Sequence, residues 1–359
     1  MKIHLLLALC VLTGCAAPTV TQQTTATALP APVPTVGLLE PSVGRGGAPV
    51  TIQVVGTIAE APMYIAAERG YFAEEGISPQ FITFDSAAKA IPALSTGQID
   101  VAAGVLSAGL FNAVDRGIGI RVVAPQSEMR GCAHSGTWML VRKELADSGT
   151  VRSPADLRGR NIALTSKGST VEYLADAVLR QGGLQPSDAN YVEMSFGDMG
   201  AAFANGAIDV AVGSEPLVTT YVDKGLASKW LCASDVIPNI QYTYLMYSQR
   251  FASQRAALAQ QWMRAYLRGT RDWQHMQDTG DGKQAIFSYL GKYTPVPDPS
   301  VLERANLSAL SPEDPIDLGN IQNQLSWAHD RGYIAHEPSP ASFVDTQFIE
   351  QATQAVGRS

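Results

Sequence analysis

One pattern is written twice along this chain, and it restricts the fold more than any other feature. Ala93-Leu-Ser-Thr-Gly-Gln-Ile-Asp-Val-Ala-Ala-Gly104 returns as Ala202-Phe-Ala-Asn-Gly-Ala-Ile-Asp-Val-Ala-Val-Gly213, 109 positions later. Each copy runs on to a matching close, Asp115-Arg-Gly in the first and Asp223-Lys-Gly in the second. A period of about 110 residues exceeds the roughly 20–50 of solenoid repeats, so two domains of one design are expected. Within each copy a helix ends at Gly97 or Gly206, where a left-handed cap costs least. An apolar strand follows, 99–103 or 208–212, and runs into a loop of small residues, 104–107 or 213–216. Ligands of open α/β sheets collect at such loops, beyond the carboxyl ends of the strands. Two of them face to face make a cleft.

The start of the chain reads as an export leader: a lysine at position 2, then an apolar core over 5–12. That core is too short for a bilayer, which needs about 20 residues. It closes on Leu12-Thr13-Gly14-Cys15, which resembles a lipobox, so residues 1–15 are taken as a lipoprotein signal ending at Cys15. Multiple acyl chains on Cys15 anchor a protein stably. The expected location is therefore the extracytoplasmic face of the cell membrane. Residues 16–49 carry only two charges, Glu40 and Arg45, among Ala, Pro, Thr and Val. A segment of that kind does not bury enough surface to offset its ordering and is expected to be a disordered tether.

The remaining residues are too many for one ordinary core and suit two. Net charge is −7 with the charges well mixed, which argues against nucleic acid as a partner. Cys10 leaves with the leader and Cys15 carries lipid, so Cys132 and Cys232 remain. They are free to pair in an exported protein, but their spacing fixes no geometry. The five histidines are scattered singly and no Cys-x-x-Cys occurs, so neither a metal nor another cofactor is expected.

Strand, helix and strand alternate from residue 51: strand 51–55, helix 63–69 with Pro62 at its first turn, strand 79–84, then the first repeat and strand 120–124. Strand 138–142 is expected to cross to the second lobe. There strand 161–164, helix 171–180 and strand 191–194 lead into the second repeat, and 241–248 returns. Helices 254–276 and 318–330 are expected to pack around lobe one.

Pro62-Met-Tyr-Ile-Ala-Ala-Glu-Arg-Gly-Tyr-Phe-Ala-Glu-Glu-Gly-Ile77 resembles the signature of solute-binding proteins of the nitrate/sulfonate/taurine and NMT1/THI5-like family. Asp156-Leu-Arg-Gly-Arg-Asn-Ile-Ala, the repeat itself, Gly332-Tyr-Ile and Phe343-Val-Asp345 match the same pattern in order, over residues 50–350. The resemblance implies an α/β fold of periplasmic-binding-protein type, two βαβ lobes joined by two crossing strands (type II). Lobe one is expected to hold residues 50–137 and 247–359, and lobe two residues 138–246. It also implies delivery of a small molecule to ABC permease subunits with a cytoplasmic ATPase.

On that fold the ligand sits between the lobes. Lobe one then offers Thr57, Glu60 and Tyr64, followed by Ser86, Leu106 and Ser107. Lobe two offers Lys167, Gly168, Ser169, Thr170 and Tyr173, then Ser214 and Glu215. Ser169 and Thr170 stand where a helix begins, so free N–H groups there suit an anion or carbonyl. Equally, their hydroxyls serve as caps. A cleft-facing Glu215 suits N–H or O–H donors and opposes a sulfonate or nitrate. Alternatives for it are hydrogen bonding within its own turn ahead of Pro216, or pairing with Arg130. Trp138, Tyr242, Tyr244 and Tyr247 flank the expected hinge, and alternation puts Tyr242 and Tyr244 on one strand face.

Together these features favour a planar, uncharged, donor-bearing heterocycle. Pyrimidine-precursor binders of the family carry an Asn-rich loop after the first strand. Here that loop reads Thr57-Ile-Ala-Glu60, which argues against a thiamin pyrimidine and leaves a larger vitamin-like ring, riboflavin first. Thiamin precursors and sulfonate or nitrate anions stand as alternatives. An enzyme on the same fold is the alternative of another class. Glu60, His134 and Glu215 could be drawn as acid/base groups, but no nucleophile or iron motif accompanies them, and no catalytic residue is expected.

Overall fold

β-branched and aromatic residues, which suit a half-buried pleated surface, form twelve strands among the described residues. The computed structural model describes residues 38–39, 46–310 and 312–357. In chain order the strands are β1 (Leu38–Leu39), β2 (Ala48–Val54), β3 (Ile77–Thr83), β4 (Val101–Gly104), β5 (Arg121–Glu128) and β6 (Thr137–Arg142). They continue with β7 (Asn161–Leu164), β8 (Asn190–Glu193), β9 (Val210–Ser214), β10 (Ala227–Cys232), β11 (Gln241–Tyr247) and β12 (Ala309–Leu310).

Seven of them make one sheet, ordered β1-β3-β2-β4-β11-β5-β12, and five make a second, ordered β10-β6-β9-β7-β8. The lobes share one plan. β2 runs parallel to β3 and β4, as β7 does to β8 and β9. One antiparallel strand then lies beside each repeat strand, β11 against β4 and β6 against β9.

The repeated Ile-Asp-Val explains this symmetry. Asp100 Oδ2 accepts from Thr51 N at 3.0 Å, and Asp209 Oδ2 accepts from Asn161 N at 3.1 Å. Each aspartate thus pins the first strand of its lobe to the repeat strand. Each is also neutralised by an arginine, Arg255 at 2.9 Å and Arg142 at 3.0 Å. The glycine closing the first copy is fixed by contact: Gly104 has φ 150°, and a Cβ there would sit 2.5 Å from that of Ala87.

Each sheet buries both faces. In the first, Val101 and Ala103 pack with the helices Ala61–Glu68 and Ala256–Thr279, whereas Ala102 packs with Ala108–Asp115 and Leu318–Asp330. In the second, Val210 and Val212 face the Thr170–Gln181 helix, and Ala211 faces Met199–Ala204 and Leu217–Asp223. Four core clusters result among the described residues, two to each lobe, as two copies of one sheet plan require.

Three expectations need correction. β6 lies wholly in the second sheet and β11 wholly in the first. The chain therefore crosses between lobes through residues 129–136 and 237–240, which are not strands. Residues 241–246, expected in lobe two, belong to lobe one, because β11 fills the gap between β4 and β5. The last part of the expected tether joins the sheet: β1 pairs with β3, and Ala48 opens β2. Cys15 and its leader lie outside the described residues. No described helix is long and apolar enough to cross a membrane.

Cys132 and Cys232 form a disulfide with Cα atoms 5.4 Å apart. Cys132 sits in the first crossing segment and Cys232 ends β10, just ahead of the second. The bridge therefore ties the two connections between lobes to each other.

Candidate functional site

The carboxyl ends of β2, β3, β4, β5, β7 and β9 converge on a cavity of ≈ 50 Å³ between the lobes. Lobe one supplies Val55, Thr57, Ala59, Glu60, Ser86, Ala87, Ala103, Gly104, Val105, Gln126, Ser127, Tyr242, Thr243 and Ser308. Lobe two supplies Thr137, Thr165, Val171, Phe196 and Ser214, and Met129 comes from the first crossing segment. Most polar groups in this wall are hydroxyls. Among the described residues that line it, none is Lys, Arg or His.

Glu60 is the acidic residue of the wall, and its local sequence explains its position. Its Oε1 accepts from Val55 N at 2.7 Å. Its Oε2 accepts from Gly56 N at 2.9 Å, Thr57 N at 3.0 Å and the Tyr64 hydroxyl at 2.8 Å. The carboxylate closes a capping box with Thr57. Burial pushes this carboxyl up to about 7, against the four donors that favour its charged form. Oε2 is saturated, while Oε1 keeps one lone pair for a further donor.

Of the residues singled out in the sequence, Thr57, Glu60, Ser86, Ser214 and Tyr242 line the cavity. Thr57 and Ser86 stand at helix starts, and Ser86 Oγ caps Lys89 N at 3.4 Å. The others lie elsewhere, for reasons visible in their contacts. Tyr64 stacks on Tyr293 at 4.6 Å behind Glu60. Trp138 donates from Nε1 to Ser135 O at 2.9 Å and lies beneath Lys229. Tyr244 takes a 2.7 Å hydrogen bond from Asn320 and packs in the lobe-one core. Tyr247 is buried in that lobe's other core. Lys167 is exposed.

Leu106, Ser107, Ser169 and Thr170 meet one another instead of a ligand. Ser107 and Ser169 form a β-bridge. Thr170 N donates to Leu106 O at 3.1 Å, and Ala108 N donates to Gly168 O at 2.7 Å. The expected anion site at the start of the Thr170–Gln181 helix is thus partly filled by a carbonyl of the opposite lobe. These bonds hold the lobes in contact.

Glu215 is buried but outside the cavity wall. Its carboxylate accepts from Thr219 N at 2.9 Å and Thr219 Oγ1 at 3.0 Å, and pairs with Lys229 at 2.8 Å. It bonds the helix that follows Pro216 and pairs with Lys229, a partner that none of the expected readings named. Arg130 pairs with Glu128 and Asp314 instead. Tyr173 lies edge-on to Trp327 at 5.5 Å, in a second contact between the lobes.

The sequence reading missed Gln126, Ser127, Thr137, Thr165, Phe196, Thr243 and Ser308. Gln126 and Ser127 stand near the carboxyl end of β5 as Ser214 stands at that of β9, and that symmetry was the available signal. Thr243 and Tyr242 are adjacent yet both line the cavity, which regular alternation forbids. The β11–β5 ladder shifts register on both sides of Thr243, and such a shift leaves no trace in a single sequence.

A two-lobed α/β scaffold with its cavity at the strand ends between lobes is the architecture of periplasmic solute-binding proteins. The chain belongs to the NMT1/THI5-like family, whose model matches residues 58–278. It is 27% identical over 283 residues to the riboflavin-binding protein RibY of Chloroflexus aurantiacus, covering 76% of this chain and 74% of that one. Its fold matches the periplasmic nitrate-binding protein NrtA of Synechocystis at TM-score 0.72 and 15% identity, covering 88% and 91% of the two chains. It also matches the desulfurization enzyme DSZB at TM-score 0.61 and 13% identity, covering 86% and 99%.

Proposed function

We propose that this protein is the extracytoplasmic solute-binding component of an ABC importer, lipid-anchored through Cys15, and that it captures an uncharged vitamin-like heterocycle, riboflavin first. Its partners on this reading are permease subunits served by a cytoplasmic ATPase. The observation that carries the proposal is the chemistry of the cavity wall: hydroxyls, the Gln126 amide and the Glu60 carboxyl, with no basic side chain. A sulfonate or nitrate enclosed there would be a buried charge without a counter-charge, beside a carboxyl. A ring system bearing N–H and C=O groups meets the same wall with donors for Glu60 Oε1 and acceptors for the hydroxyls. The relative RibY supports the vitamin, and DSZB shows that the scaffold alone does not separate binding from catalysis.

The volume favours a second reading. A small solute, such as an anion of the nitrate class, fits ≈ 50 Å³ without the lobes parting, whereas ligand pockets usually span about 300–1,000 Å³. Titration of the protein into riboflavin decides between them. Quenched flavin fluorescence at micromolar protein, uncompeted by nitrate or taurine, and flavin recovered chemically unchanged are expected. Nitrate or taurine binding without flavin binding would overturn the proposal in favour of the anion.

A further inference from the structure

Away from the cavity, a charged cluster joins the lobes. Glu172 and Asp176 lie one turn apart on the Thr170–Gln181 helix of lobe two, and both side chains are fully buried. Lobe one reaches them from the end of the Leu318–Asp330 helix and the residues after it. Arg331 Nη2 pairs with Glu172 Oε1 at 2.5 Å, and its Nε lies 3.1 Å from Asp176 Oδ2. Tyr333 donates to Glu172 at 2.9 Å, and Trp327 Nε1 donates to Asp176 at 2.8 Å. Among the described residues of lobe two, Gly168 N donates to Glu172 and the Tyr191 hydroxyl to Asp176, both at 2.6 Å. Nearby, Thr170 Oγ1 donates to Gln324 Oε1 at 2.6 Å.

We propose that Arg331, Glu172 and Asp176 form a clasp that fixes how the lobes close, which makes Arg331 a positioning residue for closure although it lines no part of the cavity. The physics is asymmetric. When the lobes part, all three charges regain water, so the intact set costs closure little and adds little to it. Without Arg331, closure would bury two neighbouring carboxylates with no counter-charge, and that arrangement is strongly disfavoured. Closure is therefore confined to the one register that seats the guanidinium between both carboxylates. The inference concerns lobe closure and does not depend on which solute the cavity takes.

The test is small-angle X-ray scattering on the full chain with no ligand added, so its outcome does not depend on whether flavin binds. Arg331→Met is expected to move the open-to-closed ratio by on the order of a hundredfold, read as a larger radius of gyration. The triple variant Arg331→Met, Glu172→Gln, Asp176→Asn removes the charges along with their partner and is expected to return to the wild-type radius. If Arg331→Met fails to fold, a folded triple variant with the wild-type radius still supports the clasp. A wild-type radius for Arg331→Met, or an expanded triple variant, overturns it.

Discussion

Glu60 and Glu215 are both buried glutamates in loops that follow apolar strands, and their neighbours give them different work. Glu215 has Lys229 beside it. Glu60 has four neutral donors, and burial raises its carboxyl to about 7 from 4.5. A carboxyl raised on folding contributes stability that is complete below pH 4.5 and is lost as pH rises through 7. Urea unfolding across that window should show wild type losing stability relative to Glu60→Gln, because the variant does not titrate. Below pH 4.5 the variant should be the weaker by about 1–3 kcal/mol, since an amide Nε2 cannot accept from Val55 N, and that gap should close or reverse as pH rises through 7. The opposite slope would mean that the four donors outweigh burial. The two β11 tyrosines, Tyr242 and Tyr244, make a second contrast. Tyr242→Ala removes part of the cavity wall and should cost about tenfold in riboflavin affinity. Tyr244→Phe should lose about 1 kcal/mol of stability through Asn320 and leave affinity unchanged. Equal affinity losses in flavin titrations would remove Tyr242 from the site. Residue types at strand ends were legible as candidates in the sequence. Glu60 takes its donors from residues 55–64, within reach of local sequence, whereas Glu215 takes Lys229 and the Asn306 N–H, which local sequence does not place.

Elements were the most legible level, because apolar spacing and glycine caps report directly on strand and helix. The repeat marked both βαβ units, and the shared role of Asp100 and Asp209 shows that it preserves architecture more than ligand chemistry. What stayed hidden was long-range. Glu172 and Asp176, spaced four apart, share one helix face, and nothing near them in the chain announces that Arg331 pairs with both from the other lobe. The pairing of Cys132 with Cys232 was equally open, since their separation of 100 residues is compatible with any geometry. A closed loop of that length restricts the unfolded chain, and its loss should cost about 2–5 kcal/mol. Replacing both cysteines by serine should therefore lower the urea midpoint, and reductant should lower the wild type's to match. A midpoint indifferent to reductant would show that the bridge does not contribute to stability.

For the whole molecule, the tension lies between chemistry and volume. The cavity wall suits an uncharged hydrogen-bonding guest, but ≈ 50 Å³ is far below what a tricyclic ring occupies. The lobes touch directly through Ala108 N and Gly168 O, Thr170 N and Leu106 O, and Ile58 N and Glu215 O, the last at 3.1 Å. These are backbone contacts, so changes of side-chain rotamer alone cannot widen the gap between them. A large guest must instead part the lobes through residues 129–136 and 237–240 by a rigid-body movement. The riboflavin complex is thus expected to scatter with a larger radius of gyration than this arrangement of the lobes gives. It should also gain about 2.7 kcal/mol of unfolding free energy at a hundredfold excess of ligand over Kd. A complex as compact as the present structure would point to a guest of only a few heavy atoms. The absence of a basic side chain in the wall would then favour a small neutral solute over an anion.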